Sequence, residues 1–312
     1  MNLDPRLLQL ARRHRLALGL TVLFGFAGGV LTVLQAGLIS RTVDRVFLKG
    51  AGLPDVARLL AALLGAIVLR AAAAWASERA GNAVAAGVKD RLRRRLVGHL
   101  LALGPGYAAG ERTGELVNTL QEGVEALEAY FSQYLPQLVL AALLPLTYLA
   151  FVFPLDPLSG LVLLFTAPLI PLFMILIGNL AQTMTRRRWQ VLSHTGAYFL
   201  DVLQGLTTLK MLGRSRSQAK VVEQISRRFS DATMNVLRVT FLSALVLEMV
   251  ATISTAVVAV QVGLRLLYGR LAFEQALFVL LLAPEFYLPL RTLGARFHAG
   301  MSGVTAARRI FE

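Results

Sequence analysis

The sequence predicts an all-α integral membrane protein with six transmembrane helices and two long cytoplasmic helical hairpins. Three observations lead there. The 312 residues are 56% hydrophobic and only 16% charged, with a mean hydropathy of +0.62, too apolar for a water-soluble chain of this length. The apolar residues gather into stretches of roughly 20, the length at which a helix crosses about 30 Å of hydrocarbon. The basic residues fall unevenly between those stretches, which fixes an orientation.

The first span, about 16–40, follows Arg6, Arg12, Arg13 and Arg15. Its apolar run is longer than the core of a signal peptide and has no cleavage site, so it reads as a membrane helix. The others lie at about 57–77, 131–153, 158–180, 240–264 and 271–292. Short connections (41–56, 154–157, 265–270) alternate with long polar ones (78–130, 181–239). Of the 32 Lys and Arg, only Arg41, Arg45, Lys49, Arg58, Arg265 and Arg270 fall on the short-connection side, and Arg70 falls within a span. The rest accompany the two termini and the long loops, which places those in the cytoplasm. A net charge of +14 would suggest nucleic acid in a soluble protein, but these basic clusters are interleaved with spans rather than with aromatics. Absence of cysteine excludes a disulfide framework, a CxxC zinc site and a thiol nucleophile. His14, His99, His194 and His298 are too dispersed for metal ligation, so no metal site is expected.

Both long loops carry helical periodicity. In the first, Leu92, Leu96, Leu100 and Leu103 recur every three or four residues, with Arg91, Arg93, Arg94 and Arg95 on the other sides. A helix from Ser77 to Leu103 projects roughly 40 Å beyond the membrane. Gly104, Pro105 and Gly106 interrupt it, a polar tip follows at 107–114, and a second helix returns through Leu116, Leu120, Val124 and Leu127. The second loop repeats the plan, with Trp189, Leu192, Gly196, Phe199 and Leu203 before a tip containing Gly205 and Gly213. Val222, Ile225, Phe229 and Ala232 follow it.

This layout resembles the transmembrane domain of exporter-type ABC transporters. The run GERTGELVNTLQEGVEALEAYFSQYLPQ (Gly110 to Gln137) is similar to that family's first intracellular loop, and FLDVLQGLTTLKMLGR (Phe199 to Arg214) to its second. LLAPEFYLPLRTLGARFHAGMSGVTAARRIFE (Leu281 to Glu312) resembles the sixth helix and its exit toward a nucleotide-binding domain. APEFYLPLR and GERTGELVNTLQEG look most like the CydD-type subfamily of thiol-reductant exporters. The resemblance implies coupling contacts to nucleotide-binding domains through Tyr107, Gly110, Glu111, Arg112, Thr113 and Gly114 in the first tip. In the second it implies them through Tyr198, Phe199, Asp201 and Gln204. It also implies a CydC-like second half-transporter as partner in a heterodimer. The cargo it implies is a small thiol, cysteine or glutathione, moved across a bacterial inner membrane in support of cytochrome bd assembly. One departure matters: the chain has no GxxxxGK[ST] phosphate loop, no lysine after a glycine and no LSGGQ-like signature. ATP and Mg are therefore expected to belong to a nucleotide-binding domain after residue 312 of a parent chain, with no ATPase chemistry in these residues.

Ionisable groups at membrane depth are costly unless they face a cavity or a partner. Arg70 and Glu285 lie at matching depths, roughly 20 Å and 18 Å from the outer ends of their helices, and Glu248 lies nearer the inner mouth. One reading makes Arg70, with Arg291, the positive charge of a substrate cavity that also includes Glu248 and Glu285. The other makes Arg70 and a glutamate a clamp between helices. Gln35 and Gln261 either line that cavity or bond between helices. Pro168, Pro171, Pro284 and Pro289 permit bends. A homodimeric lipid or drug exporter, and a membrane-anchored interaction or sensor module, are the competing functions. Ionisable and kink-forming residues inside the spans favour transport.

Overall fold

The computed structural model describes residues 15–110, 123–177 and 205–311, together with Arg6, Leu7, Leu10 and Val202. Six of the helices among the described residues are long and apolar enough to cross a membrane, and no strand occurs among them. The chain divides into two compact units, Met1–Pro168 with Val250–Glu312, and Leu169–Met249.

In the larger unit, α1 (Arg15–Val43) runs into a π-helical turn at Asp44–Leu48. Its hydroxyls bond back into their own helix, Thr21 to the Ala17 carbonyl at 2.9 Å and Thr32 to that of Gly28 at 3.1 Å. A polar residue thereby tolerates a bilayer without an external partner. Helix α2 (Leu53–Gly110) is alanine-rich, a composition of high helix propensity, and carries Leu64, Ile67, Val68 and Leu69 exposed on its surface. Water would not tolerate such a stripe; lipid does. The break expected at Gly104 is present as a kink, with φ 77° and ψ 175°, a conformation natural to glycine.

Helix α3 (Val124–Leu155) contains a π-helical turn at Tyr130–Tyr134. Helix α4 (Pro157–Ile177) breaks at a turn over 167–168, at one of the two prolines expected to permit a bend, where Pro168 supplies no backbone donor. The long helix α6 (Ser215–Leu267) follows the short α5 (Leu206–Met211). Helix α7 (Phe273–Phe311) starts two residues later than the sequence suggested and continues through Pro284 and Pro289.

Ion pairs show which ends meet. At one end Asp156, in the α3–α4 connection, pairs with Arg265 at the end of α6, and Arg41 Nε meets Glu274 Oε1 at 2.8 Å, joining α1 to α7. The three short connections therefore share one end of this unit, as the alternation required. At the opposite end Lys89 of α2 bridges Glu125, at 2.8 Å, and Glu128 of α3, and Arg93 also reaches Glu125. There Val84, Val88 and Leu92 of α2 pack with Val124, Leu127 and Tyr130 of α3 and Val304 and Ala307 of α7, all buried. Of the predicted leucine stripe, Leu92 is buried, Leu96 and Leu100 half-buried and Leu103 exposed.

The hydrogen bonds to Glu125 and then Glu128 raise the Lys89 pKa, and those from Lys89 and then Arg93 lower that of Glu125. The lysine's contribution is full below its unfolded pKa and lost as pH rises through the folded one. The glutamate's is full above its unfolded pKa and lost as pH falls. This cluster is intact between about pH 5 and pH 10.

Asp156 is fully buried at the N-cap position of α4, with Pro157 in the first helical turn and Ser159 Oγ donating to its Oδ2 at 2.6 Å. Burial favours the neutral carboxyl, but the hydrogen bonds from Ser159 and Arg265 outweigh it and hold the pKa below the ordinary carboxylate value. The stabilisation from this pair is present above pH ~4 and lost as pH falls through the depressed value. Arg265→Gln strands a buried charge, so unfolding in detergent should show a loss of about 3 kcal/mol, largely recovered when Asp156→Asn is added.

In the smaller unit, Val222, Ile225, Phe229 and Ala232 form the half-buried face of the first part of α6, on the predicted stripe. Phe241, Leu242, Leu245 and Met249 are exposed, and Glu248 lies exposed beside them.

Candidate translocation cavity

A cavity of about 510 Å³ lies in the larger unit between α1, α2, α3 and α7. Each helix contributes a stripe with three-to-four-residue spacing: Thr21, Gly25, Gly28 and Thr32 on α1, and Arg70, Ala74, Ser77, Glu78 and Asn82 on α2. Gln133, Gln137, Leu140, Leu144 and Tyr148 do so on α3, and Glu285, Pro289, Thr292 and Arg296 on α7. Polar groups on all four walls make a wet groove inside an apolar bundle.

Two glycines in α1 shape its wall differently. A Cβ on Gly29 would lie 2.1 Å from Leu144 Cδ2, so this glycine lets α3 close against α1. A Cβ on Gly28 would meet nothing within 4 Å, because that position opens into the cavity.

Arg70 Nη1 donates to Gln35 Oε1 at 2.9 Å, and Arg70 Nη2 stands 3.7 Å from Glu285 Oε2. The depth match between spans two and six thus corresponds to an ion pair. Gln35 holds Arg70 from behind and is not part of the lining. Arg291 and Gln261 are not part of it either. Arg291 lies six residues past Glu285, on another face of α7, whereas Arg296, eleven residues past it, returns to the same face. Gln261 Nε2 is buried with no hydrogen-bond partner among the described residues. Glu248 belongs to the smaller unit.

Sequence reasoning missed Arg296 and Glu78. Glu78 falls in the first long loop of the sequence reading and Arg296 in its C-terminal segment, because both lie just past the apolar runs. Arg296 donates to Gln137 Oε1 at 3.0 Å and to the Gln133 carbonyl at 3.4 Å, and Gln137 Nε2 donates to the Pro289 carbonyl at 2.8 Å. This chain of bonds ties α3 to α7 beside the π-helical turn of α3, the kind of local distortion that re-aims side chains at functional sites. Arg296 is half-buried, and Glu78 lines the same cavity. Ser77 Oγ donates to the Thr21 carbonyl at 2.8 Å, joining the α1 and α2 walls. Tyr107 and Gly110 fall in the last turns of α2. Glu111, Arg112, Thr113, Gly114, Tyr198, Phe199, Asp201 and Gln204 lie outside the described residues.

Six helices long and apolar enough to cross a membrane, four of them around a polar cavity, describe a multi-pass membrane domain. The ABC transporter transmembrane region family matches residues 18–288, and the chain belongs to that family. It is 35% identical over 280 residues, 90% of its length, to the Bacillus subtilis glutathione/L-cysteine transport system ATP-binding/permease protein CydC, of which this covers 49%. It is 35% identical over 301 residues, 93% of its length, to the Escherichia coli protein CydD of the same description, covering 51%. A fatty acid ABC transporter ATP-binding/permease protein of Mycobacterium tuberculosis is 27% identical over 85% of the chain and 42% of its own length. The chain spans about half the length of the CydC and CydD relatives.

Proposed function

We propose that this chain is the membrane half of an ATP-driven exporter and that the cavity between α1, α2, α3 and α7 is its substrate path, carrying a small thiol, cysteine or glutathione. The observation that carries the reading is the charged lining, Arg70, Glu78, Glu285 and Arg296, inside a domain related to transporters described as moving those compounds. Such a lining suits a dipolar solute and disfavours an acyl chain, which argues against a lipid or drug exporter despite the fatty acid relative.

In this reading ATP and Mg act in nucleotide-binding domains that follow residue 312 in the parent chain, and the second half-transporter is CydC-like. Both termini and both long loops are cytoplasmic, in the inner membrane of a bacterium, and the exported thiol supports cytochrome bd assembly. ATP-driven closure of the two nucleotide-binding domains moves the loop tips, and the rigid stalk of α2 and α3, locked by Lys89 with Glu125 and Glu128, passes that motion to the cavity walls.

These 312 residues hold no cysteine, so a cysteine placed at Arg112 or Asp201 is the one thiol of this domain. In the full transporter, both positions should crosslink to a nucleotide-binding domain in at least one nucleotide state. Absence of crosslinks in every state would sink the lever mechanism.

A further inference from the structure

Helix α3 holds one residue more than a regular helix needs. In its π-helical turn, Tyr130–Tyr134, the Leu135 amide donates to the Tyr130 carbonyl, five residues back instead of four. Such a turn takes in an extra residue without the rotation of about 100° that each residue adds to an α-helix. The turn therefore sets the rotation of everything beyond it. Before it lies the stalk part of α3, Val124–Ala129, fixed by Val124 and Leu127 in the core and by Lys89 on Glu125 and Glu128. Beyond it lies Leu135–Leu155, the part that presents Gln137, Leu140, Leu144 and Tyr148 to the cavity.

The surroundings hold this turn without sealing it. Opposite it, a Cβ on Gly300 of α7 would come within 2.5 Å of the Tyr134 ring, and one on Gly303 within 2.9 Å of Tyr130 Cβ, so the widened turn has room only against glycine. Arg296 donates to the Gln133 carbonyl inside the turn, at 3.4 Å, and to Gln137 Oε1 just past it, at 3.0 Å. Both acceptors are uncharged and stand at a wet groove, where water can replace the guanidinium. Pro136 supplies no amide in either register, so neither gains a bond there over the other.

We infer that the π-helical turn of α3 is a register switch for the cavity wall. When the turn leaves 130–134, the part of α3 beyond it rotates by one residue, about 100°. Each residue then hands its place to the one before it, so Val139, Leu143 and Thr147 replace Leu140, Leu144 and Tyr148 in the lining. Val139 and Leu143 are exposed in the present register. Gln137 gives up its bonds to Arg296 and to the Pro289 carbonyl, and a threonine stands where a tyrosine did, so this wall loses an amide and gains width. The stalk keeps its place throughout. The inference rests on the cavity being the export path and adds how one wall changes between uptake and release.

Two adjacent positions read the switch. Val139→Cys and Leu140→Cys, each the one thiol of this domain, are treated with a membrane-impermeant maleimide in the full transporter, without nucleotide and with ATP or ADP, against the unsubstituted transporter as blank. A cavity that merely opens or closes changes both alike. The switch moves them in opposite directions: in at least one nucleotide state, labelling at 140 should fall and labelling at 139 rise, each about fivefold or more. Labelling that changes together, or at neither position, overturns the switch. Deletion of Ser132 removes the extra residue and leaves a continuous α-helix with both of its parts in their present rotation. That variant should keep 140 reactive and 139 protected in every state, and ATP-driven transport of glutathione and cysteine should fall at least about tenfold. Normal transport after the deletion overturns the switch as well. Should the deletion variant not fold, the labelling pair decides alone. If the unaltered transporter moves neither compound, the export reading fails by itself, and the labelling pair still decides the register.

Discussion

Gly28→Trp is expected to cut ATP-driven transport by at least about tenfold while leaving the protein folded. The new side chain starts from a position with no neighbour within 4 Å of its Cβ and grows into a cavity of about 510 Å³. An indole adds a large apolar body where a solute must pass, without displacing a packed neighbour. Replacing a helical glycine also removes its backbone entropy cost, so stability should change by no more than about 1 kcal/mol. Gly29→Ala, one residue on, provides the contrast. Its Cβ collides with Leu144, an overpacking that costs about 1–3 kcal/mol, so thermal stability should drop although the cavity stays open. Transport assays paired with thermal unfolding separate the two, and normal transport by a folded Gly28→Trp protein would show that the solute takes another path.

Arg70→Gln is expected to reduce transport strongly while leaving expression and detergent stability near normal. The pair with Glu285 is long, 3.7 Å, and both side chains are about a third exposed, so after solvent screening its structural value is about 0–1 kcal/mol. Its guanidinium is held against Gln35 and turned toward the cavity, where a carboxylate gains most from it. A helix clamp behaves differently: the single variant then loses stability by up to a few kcal/mol, and adding Glu285→Gln restores it. Transport by the double variant at the normal level, after collapse of the single one, would assign the pair to packing.

The helices were legible because their signal is local: runs of about 20 apolar residues, prolines and glycines at the breaks, and leucines at helical spacing. The meeting of Arg70 with Glu285 was legible too, since depth in a membrane reduces a three-dimensional question to counting residues along two helices. The remainder of the site depends on rotation about the helix axis, which depth does not supply. Position in span six favours Arg291 for the cavity, yet it is Arg296 that shares the face of Glu285. Glu78 and Arg296 sit where apolar runs give way to charge, and a hydropathy boundary assigns such residues to loops. The α2 stripe 70, 74, 77 and 78, 82 was available in the sequence and would have placed Glu78 in the cavity. Close approach of α1 to α3 at Gly29 could not be read at all, because it depends on which helix lies opposite.

The central claim is that the cavity of this domain is the path of a small thiol through an ATP-driven exporter. Its most direct measurement is accumulation of labelled glutathione and cysteine in inside-out proteoliposomes containing the full transporter, with and without ATP, for the unaltered protein and for Gly28→Trp. The account predicts saturable, ATP-dependent accumulation of at least one of the two by the unaltered protein and its loss in the plugged variant. Accumulation that needs no ATP, or that persists undiminished past Trp at position 28, would contradict it.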